Sequence, residues 1–366
     1  MTKATELTTK PSSEQPPLSE DSTRLGGYAY QIIRHQSKQI FKRRAEVLAD
    51  TDIENLHQMR IGTRRLRSAL LLFADVIEED VIEEQQEKQG SGADSQASQP
   101  KKGIQDIDAI AASVKQLTGA LGKVRDIDVM QKWFAEAADR KTPTSKTALA
   151  FSKSEQKTIN SLLKKLKKRR KQQFSKMEKV LKSSSYKKLK KQCKQWLKRP
   201  TFSAKAEQSA ADSAVEKIIV PVTELLQHSG WQIATHQKSG QLVPTKSISL
   251  EKLNQQLDTE TQQLHDLRKK IKQVRYQTEF FRSIYGITYA SQIREFRSLQ
   301  KVLGQLQDQL VISEFLTQTL GDNWAKKLPT IHDAFQSSRL ELWQQWQPLQ
   351  EKYLGLRANL KTRTAA

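Results

Sequence analysis

Two short stretches carry the residues best suited to chemistry. His57, Arg60, Arg64 and Arg67 fall at positions i, i+3, i+7 and i+10, and His265, Arg268, Lys272 and Arg275 repeat that spacing. On a helix turning ~100° per residue, these positions share an arc of roughly 80°. Arg65 stands beside the first row and Lys269 beside the second. The planar guanidinium fork of Arg gives two parallel hydrogen bonds to a phosphate and stays charged at physiological pH, whereas Lys supplies a mobile point charge. A row of such groups suits a ligand that repeats an anionic group rather than one that presents a single shape. A lone basic row could equally be a solvated face or pair with nearby carboxylates. Its return in the second stretch favours the ligand.

The two histidines stay open between roles. A neutral imidazole can pack and hydrogen-bond at a helix seam, or become a cation when a phosphate beside it raises its pKa. Metal binding needs converging ligands; the sequence has no His-x-x-x-His spacing and one cysteine, Cys193. Asp126 and Asp308 occupy matched positions downstream of the rows, where a carboxylate would orient an arginine. Arg125 adds a cation beside the first of them.

A third basic region is of another kind. Residues 160–199 hold seventeen Lys and Arg against one acid, Glu178, with a narrow apolar stripe of Leu162, Leu166, Met177, Leu181, Leu189, Cys193 and Trp196. Exposed helices ordinarily mix both signs. Lys164, Lys165, Lys168 and Arg169 are therefore expected to extend an anion site as a polyanion track. The stripe is thin and mostly aliphatic for a membrane-surface helix.

These residues must be positioned by helices. Gly and Pro are scarce, and apolar residues recur at helical spacing in segments 22–49, 52–84, 104–140, onward to 198, 209–228, 250–285, 291–320 and 328–361. Pro143 and Pro200 mark breaks, and Pro221 a kink or break. Residues 1–21 read as a disordered tail, 85–103 as a low-complexity insertion and 229–248 as a long loop. No β alternation of any length is visible. The expected fold class is all-α.

The formal net charge of +22, from 62 Lys and Arg against 40 Asp and Glu, repels itself in a compact state and calls for an anionic partner. No disulfide within the chain and no thiolate metal site can form from one cysteine. The first residues lack the apolar core of a signal peptide, and no stretch approaches the ~18 apolar residues of a membrane span. The expected location is cytoplasmic.

The repeat goes beyond the basic rows. Met59, Leu66, Leu70 and Phe73 match Leu267, Val274, Thr278 and Phe281 on the opposite side of each helix, and Leu121-Gly-Lys-Val-Arg-Asp126 matches Leu303-Gly-Gln-Leu-Gln-Asp308. The spacing between the two elements is longer in the first copy, by about the size of the low-complexity stretch. Two homologous helical halves follow.

The strings LHQMRIGTRRLRSALLLF and LHDLRKKIKQVRYQTEFF, followed by LGKVRDIDVM and LGQLQDQLVI, resemble the CHAD family, the conserved histidine α-helical domain. The resemblance spans 22–362, a first half of 22–200 and a second of 205–362. It implies two antiparallel four-helix bundles related by a pseudo-twofold axis. It also implies binding of inorganic polyphosphate through a basic surface or channel between the halves, and association with polyphosphate granules. The family often accompanies a triphosphate-tunnel domain with a Glu-x-Glu-x-Lys motif; that motif is absent, so the chain resembles a stand-alone copy. The insertion at 85–103 and the loop at 229–248 depart from the compact pattern.

Three functions compete. The first is non-catalytic polyphosphate binding, with no cofactor. The second is nucleic-acid binding through the backbone without base readout. Trp133, Trp231, Trp324, Trp343 and Trp346 lie outside the basic tracts and read as core or seam residues; only Trp196 falls within one, where a stacking platform for single strands would stand. The third, phosphoanhydride chemistry, lacks a phosphate-binding Gly-rich loop, a carboxylate cluster and a nucleophile elbow.

Overall fold

The computed structural model describes residues 23–77, 102–138 and 149–365. The tail, most of the low-complexity insertion and the break at Pro143 lie outside them. The described residues form thirteen helices and one small hairpin. The fold is all-α.

The long segments are subdivided. The first gives α1 (Leu25–Phe41) and α2 (Arg44–Ala49). The second gives α3 (Ile53–Leu72) and α4 (Ala74–Ile77). Asp52 caps α3 by accepting the Glu54 amide at 2.8 Å, satisfying a donor that the first turn leaves free. Then follow α5 (Lys102–Ala138), α6 (Lys153–Lys182) and α7 (Ser184–Lys198). Next come α8 (Ala210–Gln227), α9 (Leu250–Thr259), α10 (Thr261–Phe280), α11 (Arg282–Leu320), α12 (Trp324–Lys327) and α13 (Pro329–Ala365). Pro221 lies inside α8 and does not break it. The boundary expected after Tyr285 is a kink within α11, where Gly286 adopts a φ of 52° open to glycine.

One expectation is corrected. The loop at 229–248 carries two strands, β1 (Thr235–Lys238) and β2 (Gln241–Pro244), paired antiparallel. Ser239 and Gly240 at the turn both have positive φ, the geometry of a tight two-residue hairpin. Four residues per strand are too few for an alternating pattern to emerge. Three side-chain bonds fasten the loop to α13: Gln350 donates to the carbonyls of Trp231 and Ile233, and Gln347 to that of Thr245.

Three apolar cores hold the helices. The first joins α1, α3, the first part of α5, and α7, and takes in Phe280 and Phe281 from the end of α10. Phe281 stacks on Tyr28 with centroids 5.5 Å apart and meets Phe73 edge-on. The second joins α9, α10, α11 and α13 around Trp231, Trp343 and Trp346. A third unites the far end of α5 and the start of α6 with α11 and α13, through Phe134, Leu162, Phe315 and Ile331. Glu155 seals this junction. It completes a capping box with Ser152 on α6 and also accepts from the amide and hydroxyl of Thr330 on α13. These bonds outweigh its burial and hold its carboxyl below the usual range.

Candidate anion site between two basic helices

The apolar residues matched in the repeat are all buried: Met59, Leu66, Leu70 and Phe73 on α3, and Leu267, Val274, Thr278 and Phe281 on α10 and at its end. Burying a large aliphatic or aromatic side chain stabilises the fold by about 1.5–3 kcal/mol. These anchors turn the opposite, cationic arcs out of the cores. The two helices then pack against each other, bringing the two arcs into one cluster.

Arg60, Arg64, Arg268 and Lys272 form its centre. Burial first, then Arg268, Arg64, Arg60 and Arg275, push the Lys272 ammonium down to about 6. Arg60 is lowered to about 10 by burial and by Arg64; Arg268 is lowered by burial and by Arg64, with Asp308 opposing. Arg60 also reaches Asp126 at 3.5 Å. The centre thus holds more positive charge than its two aspartates offset.

The Leu-Gly elements have a physical reason. The Arg60 guanidinium lies over Gly122 of α5, 3.4 Å from where a Cβ would stand, and that of Arg268 lies over Gly304 of α11 at 3.5 Å. A side chain longer than Ala would displace either arginine. Both arginines leave their Nε buried without a hydrogen-bond partner, an arrangement rare in folded proteins without a ligand or water to complete it.

The histidines flank this centre differently. His265 Nδ1 lies 2.8 Å from Gln307 Oε1. His57 faces Arg125, which occupies the position matching Gln307, and its Nδ1 is buried without a partner. Burial lowers both imidazole pKa values, with the nearby arginines adding to it.

Two expected ligands are engaged elsewhere. Arg65 and Arg275 both pair with Glu279, a buried carboxylate that Arg297 of α11 also reaches at 3.1 Å. Arg65 lies 3.3 Å from it, over the rings of Tyr276 and Phe280. Arg275 stacks on Tyr276 at 4.4 Å and donates to Gln300 at 2.8 Å. Arg65 thereby fastens α3 to α10, and Arg275 ties α10 to α11 through Gln300. Glu279 was legible only as an acid four residues beyond Arg275 in a basic helix.

Arg67 and Lys269 line a groove of about 540 Å³ that runs from the cluster between α3, α10 and the start of α5. Arg64 and Lys272 also line it, and Lys115 of α5, which sequence reasoning missed, adds a fifth basic side chain. Leu70, Leu71 and Ile107 make an apolar wall.

Lys164, Lys165, Lys168 and Arg169 are exposed on α6, which packs chiefly along α5. Within the same run Arg170 turns inward. It makes two bonds to the Asp50 carboxylate, at 2.6 and 2.7 Å, and one to the buried Asp128 at 2.6 Å. Of the tryptophans, Trp231, Trp343, Trp346 and Trp196 are buried. Among the described residues no three His, Cys, Asp or Glu side chains converge as a metal site, and no helix is long and apolar enough to cross a membrane.

The family model of the CHAD domain matches residues 31–90 and 103–317, most of the chain and both basic helices. The chain belongs to the CHAD family. Among solved structures it is similar to the CHAD domain from the plant Ricinus communis, at 21% identity and a TM-score of 0.53, covering 95% of this chain and 96% of that one. It is also similar to PptA from Streptomyces chartreusis, at 14% identity and a TM-score of 0.55, covering 88% of this chain and 99% of that one. At these identities the likeness concerns the fold. Among curated proteins none matches the sequence. Within this CHAD fold, the cluster between α3 and α10 is where the repeated motifs meet.

Proposed function

We propose that this CHAD protein binds inorganic polyphosphate, without chemically altering it, in the cluster formed by Arg60, Arg64, Arg268 and Lys272. Arg67, Lys115 and Lys269 guide the chain along the adjoining groove. The observation that carries this reading is the gathering of Arg60 and Arg64 from one helix and Arg268 and Lys272 from the other in one half-buried cluster, where burial first and repulsion from the neighbouring arginines second lower Lys272 to about 6. A polyanion relieves that repulsion and supplies acceptors for the orphaned Nε donors of Arg60 and Arg268. His57 and His265 stand at the margin, where a phosphate would raise their pKa. The excess of cations over aspartates favours holding a polyanion over cleaving it.

The two halves, 22–200 and 205–362, contribute matched residues to this site. We read them as related by a pseudo-twofold axis; superposing α3 and α5 on α10 and α11 with their flanking helices tests that relation. For the ligand, calorimetric titration with inorganic triphosphate and with long-chain polyphosphate compares the wild type with an R64A/R268A/K272M variant. Both ligands lose affinity in the variant, and duplex DNA of equal charge at fixed salt fails to displace triphosphate from the wild type. Normal triphosphate binding by the variant refutes the assignment.

A further inference from the structure

The cluster leaves the most densely charged surface of the molecule unexplained. Of the seventeen Lys and Arg residues from Lys164 to Arg199, sixteen are exposed, and Arg170 is the exception. Among the described residues, Lys182 makes the one ion pair of those sixteen, to Glu178 four residues back. The apolar stripe of α6 and α7 is buried, from Leu162 through Leu181 to Cys193 and Trp196. Both helices pack along α5, and Arg170 pins α6 to Asp50 and Asp128. What faces outward is therefore a firmly seated field of free ammonium groups. We propose that the outer face of α6 and α7 is a second anion site, separate from the α3/α10 cluster, which docks the phosphate backbone of double-stranded nucleic acid.

The form of the surface favours that partner over other polyanions. From Lys164 to Lys182 the helix rises about 27 Å at ~1.5 Å per residue. A duplex presents one phosphate charge per ~1.7 Å of axis, counting both strands, so a stiff rod lying on this face meets many charges at once. Fourteen of the seventeen cations are lysines, whose mobile point charges follow a regular backbone without a fixed bidentate geometry. The buried cluster is built chiefly from arginines held over glycines, which suits a flexible chain drawn into a crevice. Single strands are normally gripped by aromatic platforms. Here Phe174 is half-buried and Tyr186 and Trp196 are buried, leaving no exposed ring on either helix. A membrane surface would call for exposed apolar residues among the lysines. From 160 to 199 every fully exposed residue is polar or charged.

Because the face shares no residue with the cluster, it can be tested independently of the polyphosphate reading. Fluorescence anisotropy of the full-length protein with a labelled duplex of random sequence compares the wild type with K164Q/K165Q/K168Q/R169Q and with R64A/K272M. The α6 variant weakens duplex binding at least ~10-fold and shallows the salt dependence of log K by about 3.6, since each of the four lost phosphate contacts contributes a slope of ~0.9. It leaves triphosphate binding unchanged and, being altered only on exposed positions, keeps the wild-type circular dichroism. R64A/K272M keeps duplex affinity, and saturating triphosphate leaves the bound duplex in place. The proposal is overturned if the duplex fails to bind the wild type at physiological salt, if triphosphate displaces it, or if R64A/K272M abolishes its binding. It is equally overturned if the α6 variant loses long-chain polyphosphate but not duplex, because the face then belongs to the polyphosphate track. Loss of triphosphate binding by R64A/R268A/K272M, by contrast, bears on the cluster alone.

Discussion

The α3/α10 cluster and the α6/α7 face carry charge of the same sign by opposite means. In the cluster, cations are withdrawn from water, held against glycines and crowded until Lys272 falls to about 6. On the face, sixteen cations stand in solvent, where water screens them from one another. Mutual repulsion is costly in the first and slight in the second. The cluster therefore needs a buttress, and the buried Glu279 shared by Arg65, Arg275 and Arg297 supplies one. The face needs only a seat, which Arg170 provides through Asp50 and Asp128. The lesson is that cation count says little about a basic surface; the degree of burial decides whether its charges strain one another or stand screened by water.

Tests that break this contrast begin with the cluster. Removing Arg64, Arg268 and Lys272 together lowers triphosphate affinity by two or more orders of magnitude, because charge-assisted hydrogen bonds to buried donors contribute about 1.5–3 kcal/mol each. Calorimetry reads that loss directly. With α3 packed on α10 and both basic rows in one cluster, the R60A/R64A/R67A variant weakens short and long chains alike.

The next largest effect falls on stability. In Glu279→Gln, three arginines lose their shared carboxylate in a buried setting, and unfolding stability drops by about 3–5 kcal/mol, measured by urea titration. The equivalent cut at the α6 seat, Asp128→Asn, costs less, since Asp50 still holds Arg170. Equal losses at the two sites would erase the contrast between buttress and seat.

Proton linkage sharpens the comparison further. Lys272 binds a proton in the unfolded chain up to its ordinary pKa of about 10.5 and in the fold only below about 6. Between those values the unfolded state holds more protons, so this group's contribution makes stability rise with pH. Lys272→Met therefore raises the melting temperature of the ligand-free protein most below pH 6, where the folded state carries the full cost of the buried ammonium. A bound polyanion restores the proton, so triphosphate binding near neutral pH takes up protons and weakens as pH rises above 6. Calorimetry in buffers of different ionisation enthalpy measures that uptake, and Lys272→Met abolishes this contribution. Duplex binding to the lysine face shows no such linkage to Lys272.

The smallest effects come from single changes on the exposed face. Lys165→Gln or Lys168→Gln shifts unfolding stability by no more than ~0.5 kcal/mol. Gly304→Ala is similarly mild: the added methyl meets the Arg268 guanidinium at ordinary contact distance, and Ala favours a helix interior by up to ~1 kcal/mol. Gly304→Leu displaces the arginine and weakens triphosphate binding.

Much of this protein follows from its sequence. Helical periodicity and the scarcity of Gly and Pro determine an all-α chain. The repeated basic spacing picks out α3 and α10, and the matched apolar residues show which side of each is buried. These are local properties, because a 3.6-residue period assigns both faces of a helix wherever the helix packs. Only the tertiary structure decided that the two basic arcs meet, that Arg65 and Arg275 serve Glu279, that glycines 122 and 304 seat the arginines, and that the lysines of α6 stand apart. Each of these depends on which helix lies beside which, over separations of up to about two hundred residues. A charge on a helix face has the same sequence signature whether its neighbour is water, a carboxylate or another cation, and the packing of the cores selects among the three.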